Sequence, residues 1–458
     1  MLLNSLNSKK IELIKNISFF LIPMFLYITL TPYLNSQKDL IFITLLFTTI
    51  IFFAFEIVPQ YFTSLIFLFT SFLFSLAPKE LIFSGFSSSA FWLVFSGILL
   101  ASAIKNTNLT EKILNLFLKT KNPNFFVLLF NLSILGFLFS FLMPSGVTRV
   151  ALLVPIGIAI AKIYNFEEKS KGYIAILLTL ILSTTIPAFS ILPANVPNII
   201  LSGLTQQIYN YEILYSNYLL TNFLVLGIIK NFMITLLIYF LFKDKIQYKT
   251  TNTEKTEITK DQKIILFSLF FMVFFWLTDF LHHLSPTIIA ICGVLFLAHP
   301  SINIIKAKDL NLNFAPLIFI VAIISLGNIS SGNLFIKEFL SLLLSKYNFS
   351  NHSEFVNYLV LNITISFSGL LLTQATIPAI FTPIAHEISI LSGFSLNEIF
   401  MIEVSAFSNL FFPFQMPPLV IGLALANIQT SKMVKILISL FFANIIFLLP
   451  LQYFWIKL

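Results

Sequence analysis

The chain has 458 residues, 58% of them in the set AVILMFWYC and only 10% charged, well below the roughly 25% charged residues of soluble domains. That excludes a water-soluble globule and leaves apolar sequence for about a dozen bilayer spans of roughly 20 residues each. The net charge of +8 comes from lysines scattered between apolar runs, which fits membrane sidedness and argues against a nucleic-acid partner.

Runs such as 263–278 and 436–451 are apolar nearly throughout, without the alternation of a membrane barrel, so the spans are helices. Lys9, Lys10 and Lys15 precede an apolar run from Ile17 to Leu34. It is too long for a signal-peptide core and lacks a small-residue cleavage site, so it reads as an uncleaved first span. Further spans are expected near 40–55, 60–77, 87–104, 172–191, 222–242, 263–281, 285–299, 312–329, 397–412 and 434–455. Residues 124–163 and 354–393 are apolar but broken midway, and 192–200 and 413–419 interrupt otherwise long spans. The hydrophilic segment 243–263 is a linker between halves of comparable size. Cys292 is the single cysteine, and no CxxC or His/Cys cluster offers a transition-metal site.

The expected organisation is N-terminal scaffold spans (1–79), a first repeat (80–242), the cytoplasmic linker (243–263), a second repeat (264–430) and a last span (431–458). The first repeat holds a re-entrant hairpin at 124–163 and a broken helix at 172–211; the second holds a hairpin at 354–393 and a broken helix at 397–428. With the N-terminus inside, twenty lysines fall on the inner side and five (Lys38, Lys79, Lys337, Lys346 and Lys457) on the outer, the asymmetry of a multi-pass cytoplasmic-membrane protein. The fold class is thus all-α and polytopic, with about eleven transmembrane helices and two re-entrant hairpins.

The hairpins form an internal repeat. MPSGVTRVALLVPI and LLTQATIPAIFTPI place Ser145 and Thr373, and likewise Pro155 and Pro383, 228 positions apart. Pro197 in LPANVPNIILSG and Pro418 in FPFQMPPLVIGLA stand 221 apart. An odd number of spans plus a hairpin in each half gives the copies inverted topology. Backbone that leaves the helix inside a bilayer is tolerated only where it is buried in protein or lines a polar cavity. Half-helix N-termini then offer donors to an anion and freed carbonyls offer ligands to a cation. The tips at 144–149 and 373–376, facing the breaks at 193–198 and 413–418, are the candidate site. Kinks or packing positions at these prolines and small residues are the plainer alternative.

GFSSSAFWLVFSGILLASAIKNTNL (85–109), WLTDFLHHLSPTIIAICGVLFLAHP (276–300) and both hairpin–break patterns resemble the divalent anion:sodium symporter family over roughly residues 80–430. The resemblance implies sulfate, dicarboxylate or tricarboxylate transport, sodium as coupling ion, a homodimer held by the scaffold, and elevator-like motion. It implies a substrate pocket at Ser145, Gly146, Val147, Thr148, Arg149, Thr373, Gln374, Ala375, Thr376, Pro197 and Pro418, and sodium ligands among Ser145, Gly146, Asn195, Asn198, Thr373, Gln374, Gln415 and Met416. The chain departs from the family's Ser-Asn-Thr tips, keeping Ser145 in the first and polar Thr373 and Gln374 in the second.

Arg149 is the only arginine and sits four positions after Ser145. Its planar fork suits carboxylate or sulfate oxygens, and Pro-Ser-x-x-x-Arg resembles the dicarboxylate and citrate branch of the family. A lipid phosphate or a helix C-terminus is the other reading of its partner. Glu403, mid-span, is expected to relay a proton, to offset the charge of Arg149 or, as the plainer reading, to make a structural hydrogen bond. Lys230, which interrupts 222–242, is expected either to snorkel or to mark a misplaced span boundary. Proton coupling, a sodium/proton antiporter and a metalloid-anion permease remain the transport alternatives. An intramembrane lipid enzyme is disfavoured because no DxxD, HExxH or GxSxG occurs, and ATP-driven transport because no GxxxxGK[ST] occurs. No cofactor is expected.

Overall fold

The computed structural model describes residues 2–34, 36–55, 57–107, 109, 124–143, 145–246, 258–311, 314–331, 347, 349–370 and 373–457. Most of the linker, tip residue Pro144 and Lys112, Lys119, Lys121, Lys249, Lys255, Lys337 and Lys346 lie outside them. The described residues form helices and no strands.

In chain order the principal helices are α1 (Leu2–Leu30), α2 (Gln37–Phe55), α3 (Gln60–Leu73), α4 (Ser89–Asn106), α5 (Phe125–Leu142), α6 (Gly146–Ile163), α7 (Lys171–Thr185), α8 (Val196–Tyr209) and α9 (Tyr215–Phe242). After the linker come α10 (Lys260–Leu277), α11 (Pro286–Ala298), α12 (Ala315–Ser331), α13 (Glu354–Ser368), α14 (Thr376–Phe381), α15 (Ala385–Ser392), α16 (Leu396–Phe407), α17 (Pro417–Ala426) and α18 (Thr430–Lys457). Each of the eleven apolar runs is mainly helical over its described residues, although 60–77, 172–191 and 397–412 run on past the ends of α3, α7 and α16. Seven of the described helices are long and apolar enough to cross a bilayer alone; the pair Thr376–Ser392 and Leu396–Phe407, bent by 117°, makes an eighth if counted as one. Five of the seven coincide with expected spans, while Phe125–Leu142 and Gly146–Ile163 are the two arms of the segment expected as the first re-entrant hairpin, each long and apolar enough to cross by itself; Gln60–Leu73, Pro286–Ala298 and Ala315–Ser330 are shorter than 18 residues.

Helix starts follow local capping chemistry. Asn124 accepts from Val127 N at 2.8 Å to begin α5, and Ser170 accepts from Tyr173 N at 3.2 Å to begin α7. Thr259 with Gln262, and Ser395 with Glu398, form capping boxes on α10 and α16; each cap stabilises its helix by about 1 kcal/mol. The two breaks begin earlier than the prolines suggest. α7 stops at Thr185 and α16 at Phe407, while Pro197 and Pro418 already lie in the first turns of α8 and α17. A first-turn proline removes an N–H that has no intrahelical partner anyway, so it starts these helices and interrupts nothing.

The core follows from helices that are apolar all round. In α7 every residue from Gly172 to Thr185 is buried, and α12 is buried from Phe319 to Ser330. Helices α5, α6, α17 and the C-terminal half of α9 surround α7. Helix α12 packs on α3, α4, α8 and α14, and Gly85 admits the Val321 backbone so closely that any side chain there would overlap it. The hairpin helices pack on the opposite broken helices: α6 lies along α17, and α14 along α8. The repeated prolines act differently, Pro155 inside a continuous helix and Pro383 in a 3-10 turn between α14 and α15.

Candidate functional site

The first tip is built by the start of α6. The Ser145 hydroxyl accepts from Thr148 N at 3.3 Å and Thr148 Oγ1 at 2.9 Å, a side-chain N-cap. Ser145, Gly146 and Thr148 are half-buried and Val147 is exposed. One turn on, Arg149 is fully buried. Its Nε donates to the Thr184 carbonyl at 3.0 Å, Nη1 to the Ala194 carbonyl at 2.8 Å and to the Met143 carbonyl, and Nη2 to Asn195 Oδ1 at 3.1 Å. The guanidinium therefore joins the end of α5, the end of α7 and the start of α8.

The carbonyls freed along the first break find donors within the chain, as buried backbone must. Asn195 Nδ2 donates to Thr185 at 3.1 Å, and Asn198 Nδ2 to Ile191 at 2.8 Å, Phe189 at 3.2 Å and Ala188 at 3.4 Å. The Tyr218 hydroxyl adds a bond to Phe189 at 2.8 Å.

In the second tip Thr373 and Thr376 share a hydroxyl–hydroxyl bond of 2.7 Å, and Ala375 stands half-buried before α14. Gln374 stitches this tip to the second break: its N–H donates to the Gln415 carbonyl at 3.0 Å and its Nε2 to the Asn409 carbonyl at 3.1 Å. Gln415 returns the contact through Nε2 to the Gly369 carbonyl at 2.5 Å, while its Oε1 accepts from Phe411 N and Phe412 N at 2.6 and 2.7 Å. Met416 is buried at the entry to α17.

The tip of one hairpin also reaches the break of the other half. A Cβ built on Gly146 would lie 3.0 Å from Pro418 Cγ and 3.6 Å from Asn195 Oδ1, so the first tip meets both breaks. Packing of α14 on α8 brings the second tip's helix to the helix begun by Pro197. The starts of α6, α8 and α17 thus meet at Gly146, Asn195 and Pro418, and the partial positive charge of helix N-termini accumulates there.

Lys230 corrects the snorkelling expectation. It is 0% exposed, at the end of the π-helical segment Phe223–Ile229 of α9. Its Nζ donates to the Ser408 carbonyl at 2.9 Å, Ser408 Oγ at 2.8 Å and Asn409 Oδ1 at 3.2 Å. Asn409 Nδ2 in turn donates to Ser366 Oγ at 3.1 Å and Asn362 Oδ1 at 3.4 Å. A head group held by three protein oxygens has no reason to seek the interface. Lys230, Ser408, Asn409, Asn362 and Ser366 were missed as site residues. Their signals were a lysine inside an apolar run and two polar pairs at i,i+4 spacing, Asn362/Ser366 and Ser405/Asn409.

Glu403 is buried and accepts from Thr382 Oγ1 at 2.7 Å, with Tyr209 donating to the Thr382 carbonyl at 2.8 Å. Asp279 caps α9, accepting from Tyr215 N at 2.6 Å. Lys457 pairs with Glu354 and Glu398, and among the described residues neither Arg149 nor Lys230 has a carboxylate partner. Also among the described residues, no group of three His, Cys, Asp or Glu could hold a metal ion. Two buried cations beside converging helix N-termini favour an anion over a cation in the space between the tips.

The sodium:sulfate symporter transmembrane region matches residues 9–458 as a family. No curated protein matches the chain. Among solved structures the YdaH transporter of Alcanivorax borkumensis, whose topology is described as unusual, is similar in fold. It has a TM-score of 0.54 and 15% identity, over 83% of this chain and 88% of that one.

Proposed function

The chain belongs to the sodium:sulfate symporter transmembrane family, and from that premise we propose that it is a secondary transporter of a small anion: sulfate, a dicarboxylate or a tricarboxylate. The anion binds between the hairpin tips and the two breaks, at Ser145, Gly146, Thr148, Thr373, Gln374 and Thr376. The observation that carries this reading is the approach of Gly146 to both Asn195 and Pro418, which puts one tip and two broken helices at one place. Arg149 serves the anion through the field of its charge and by holding the tip against the first break, since four of its five N–H groups already face Met143, Thr184, Ala194 and Asn195. Elevator-like displacement of these elements and a scaffold-held homodimer belong to the same proposal. Sodium, named in the family's description, is the first co-substrate to test. A proton is the second, because Glu403 is buried with one carboxylate oxygen lacking a partner.

The test is uptake of radiolabelled sulfate, succinate, malate and citrate into proteoliposomes, with thermal stabilisation of the purified protein by each anion measured alongside. Saturable, protein-dependent uptake of at least one anion is expected. Folded protein that neither transports nor is stabilised by any of them refutes the reading.

A further inference from the structure

Granted anion transport, the oxygen-lined places at the two helix breaks need a positive charge, and a transporter of this architecture can draw it from solution or from its own side chains. We propose that tethered side-chain cations fill both places here, Arg149 at the first break and Lys230 at the second, so that anion transport proceeds without sodium.

At the first break the guanidinium faces three backbone carbonyls (Met143, Thr184 and Ala194) and the amide oxygen of Asn195. These are uncharged oxygens of the kind a hard cation takes as ligands. At the second break the two side-chain oxygens are oriented by hydrogen bonds that their own side chains donate elsewhere. The Ser408 hydroxyl donates to the Ser405 carbonyl at 2.7 Å, which turns a lone pair toward Lys230; Asn409 donates its amide to Ser366, which turns its oxygen there. With the Ser408 carbonyl, Nζ meets three acceptors. An ammonium supplies three N–H donors, whereas a neutral amine supplies two and would set its lone pair against an oxygen. The geometry therefore calls for a charged lysine, and with no carboxylate beside either side chain among the described residues, each resident charge stands where an ion's charge would stand.

The two halves reach this arrangement from unrelated positions. The residue 228 places after Arg149 is Ile377, which carries no charge; the second break receives its cation from α9, directly after the π-helical segment. A second cation entering either cage would displace these donors and face a like charge at contact distance. Of the polar residues the resemblance points to as sodium ligands, Asn198 and Gln374 keep a buried oxygen with no partner, one at each break. Ser183 Oγ and Thr184 Oγ1 at the end of α7 also lack partners, and even with these the oxygens are fewer than the roughly six a hard cation takes.

The experiment measures saturable binding of radioactive sodium to the purified full-length protein, and anion uptake into proteoliposomes in sodium or in choline at one ionic strength. We expect no saturable sodium binding and initial uptake rates equal within about twofold in the two media. Saturable sodium binding, or uptake at least about tenfold faster in sodium, overturns the proposal; the second result leaves anion transport standing. If no anion is taken up in either medium, the transport reading fails and the binding measurement alone decides the cation places. Arg149→Ala and Lys230→Ala add a second arm. The first is expected to regain thermal stability with guanidinium chloride and the second with methylammonium chloride, above what choline chloride does. Equal responses to all three salts count against cation cages. Where a variant does not fold, wild-type sodium binding decides.

Discussion

Gly146 and Pro418 lie so close that a methyl group on the glycine would stand 3.0 Å from the proline Cγ. The first hairpin tip is thereby seated on the second half of the chain through a contact that takes a side chain only if the proline ring gives way by a few tenths of an ångström. Gly146→Ala is expected to cost about 1 kcal/mol and to slow uptake severalfold, and Gly146→Leu to cost about 1–3 kcal/mol and abolish it. Thermal unfolding in detergent and proteoliposome uptake measure the two effects; unchanged uptake by the leucine variant would show that this contact has no part in transport.

Arg149 gathers carbonyls from three separate chain segments. Hydrogen bonds to a charged group are worth about 1.5–3 kcal/mol each. Arg149→Met is expected to deprive the Met143, Thr184 and Ala194 carbonyls of the guanidinium's donors and to lower the yield of folded protein. Arg149→Lys, with one ammonium in place of a planar fork, should fold with a lowered melting temperature and lose at least about tenfold in uptake. Size-exclusion profiles, melting curves and uptake rates compare the two.

For Lys230→Met the side-chain volume is kept and the donors are lost. The Ser408 carbonyl and Asn409 Oδ1 stay buried with fewer partners, at an expected loss of about 1–3 kcal/mol. A variant as stable as wild type in detergent would mean that the ammonium makes no net contribution to the break.

Glu403 accepts a hydrogen bond from Thr382 that a glutamine oxygen can also accept. Glu403→Gln should therefore fold with wild-type stability, and Glu403→Leu should lose about 1–3 kcal/mol. Uptake by Glu403→Gln across a pH series separates the roles: a structural acceptor leaves the pH profile in place, and a proton relay flattens it.

Outside the spans, Asp309 ties the loop before α12 to the end of α4. It accepts from Lys306 N at 2.8 Å, Asn106 Nδ2 at 2.9 Å and Ser102 Oγ at 3.1 Å. Partial burial pushes its carboxyl upward, but these donors outweigh burial and hold it below the ordinary value. A depressed carboxylate contributes stability above the unfolded-state value, about 3.9, and loses it as pH falls through the lower folded value. Melting temperature should thus fall between about pH 4 and the lower folded value by more in the wild type than in Asp309→Asn. Parallel acid profiles of the two proteins would refute this.

The order of apolar runs determined the helices by itself, because a run long and apolar enough has no stable conformation in lipid except a helix that bonds its own backbone. Proline and small residues likewise fall where helices stop and restart, although Pro197 and Pro418 start helices and do not interrupt them. Tertiary structure alone decided which oxygens face which cation. Arg149 stood out as the only arginine, yet its bonds to Thr184, Ala194 and Asn195 exist only once α6, α7 and α8 are packed. Lys230 lies 178 positions from Ser408, and nothing near it in the chain names that partner. Helix formation is a local property of consecutive residues, whereas a buried charge is tolerated through acceptors that come from distant segments.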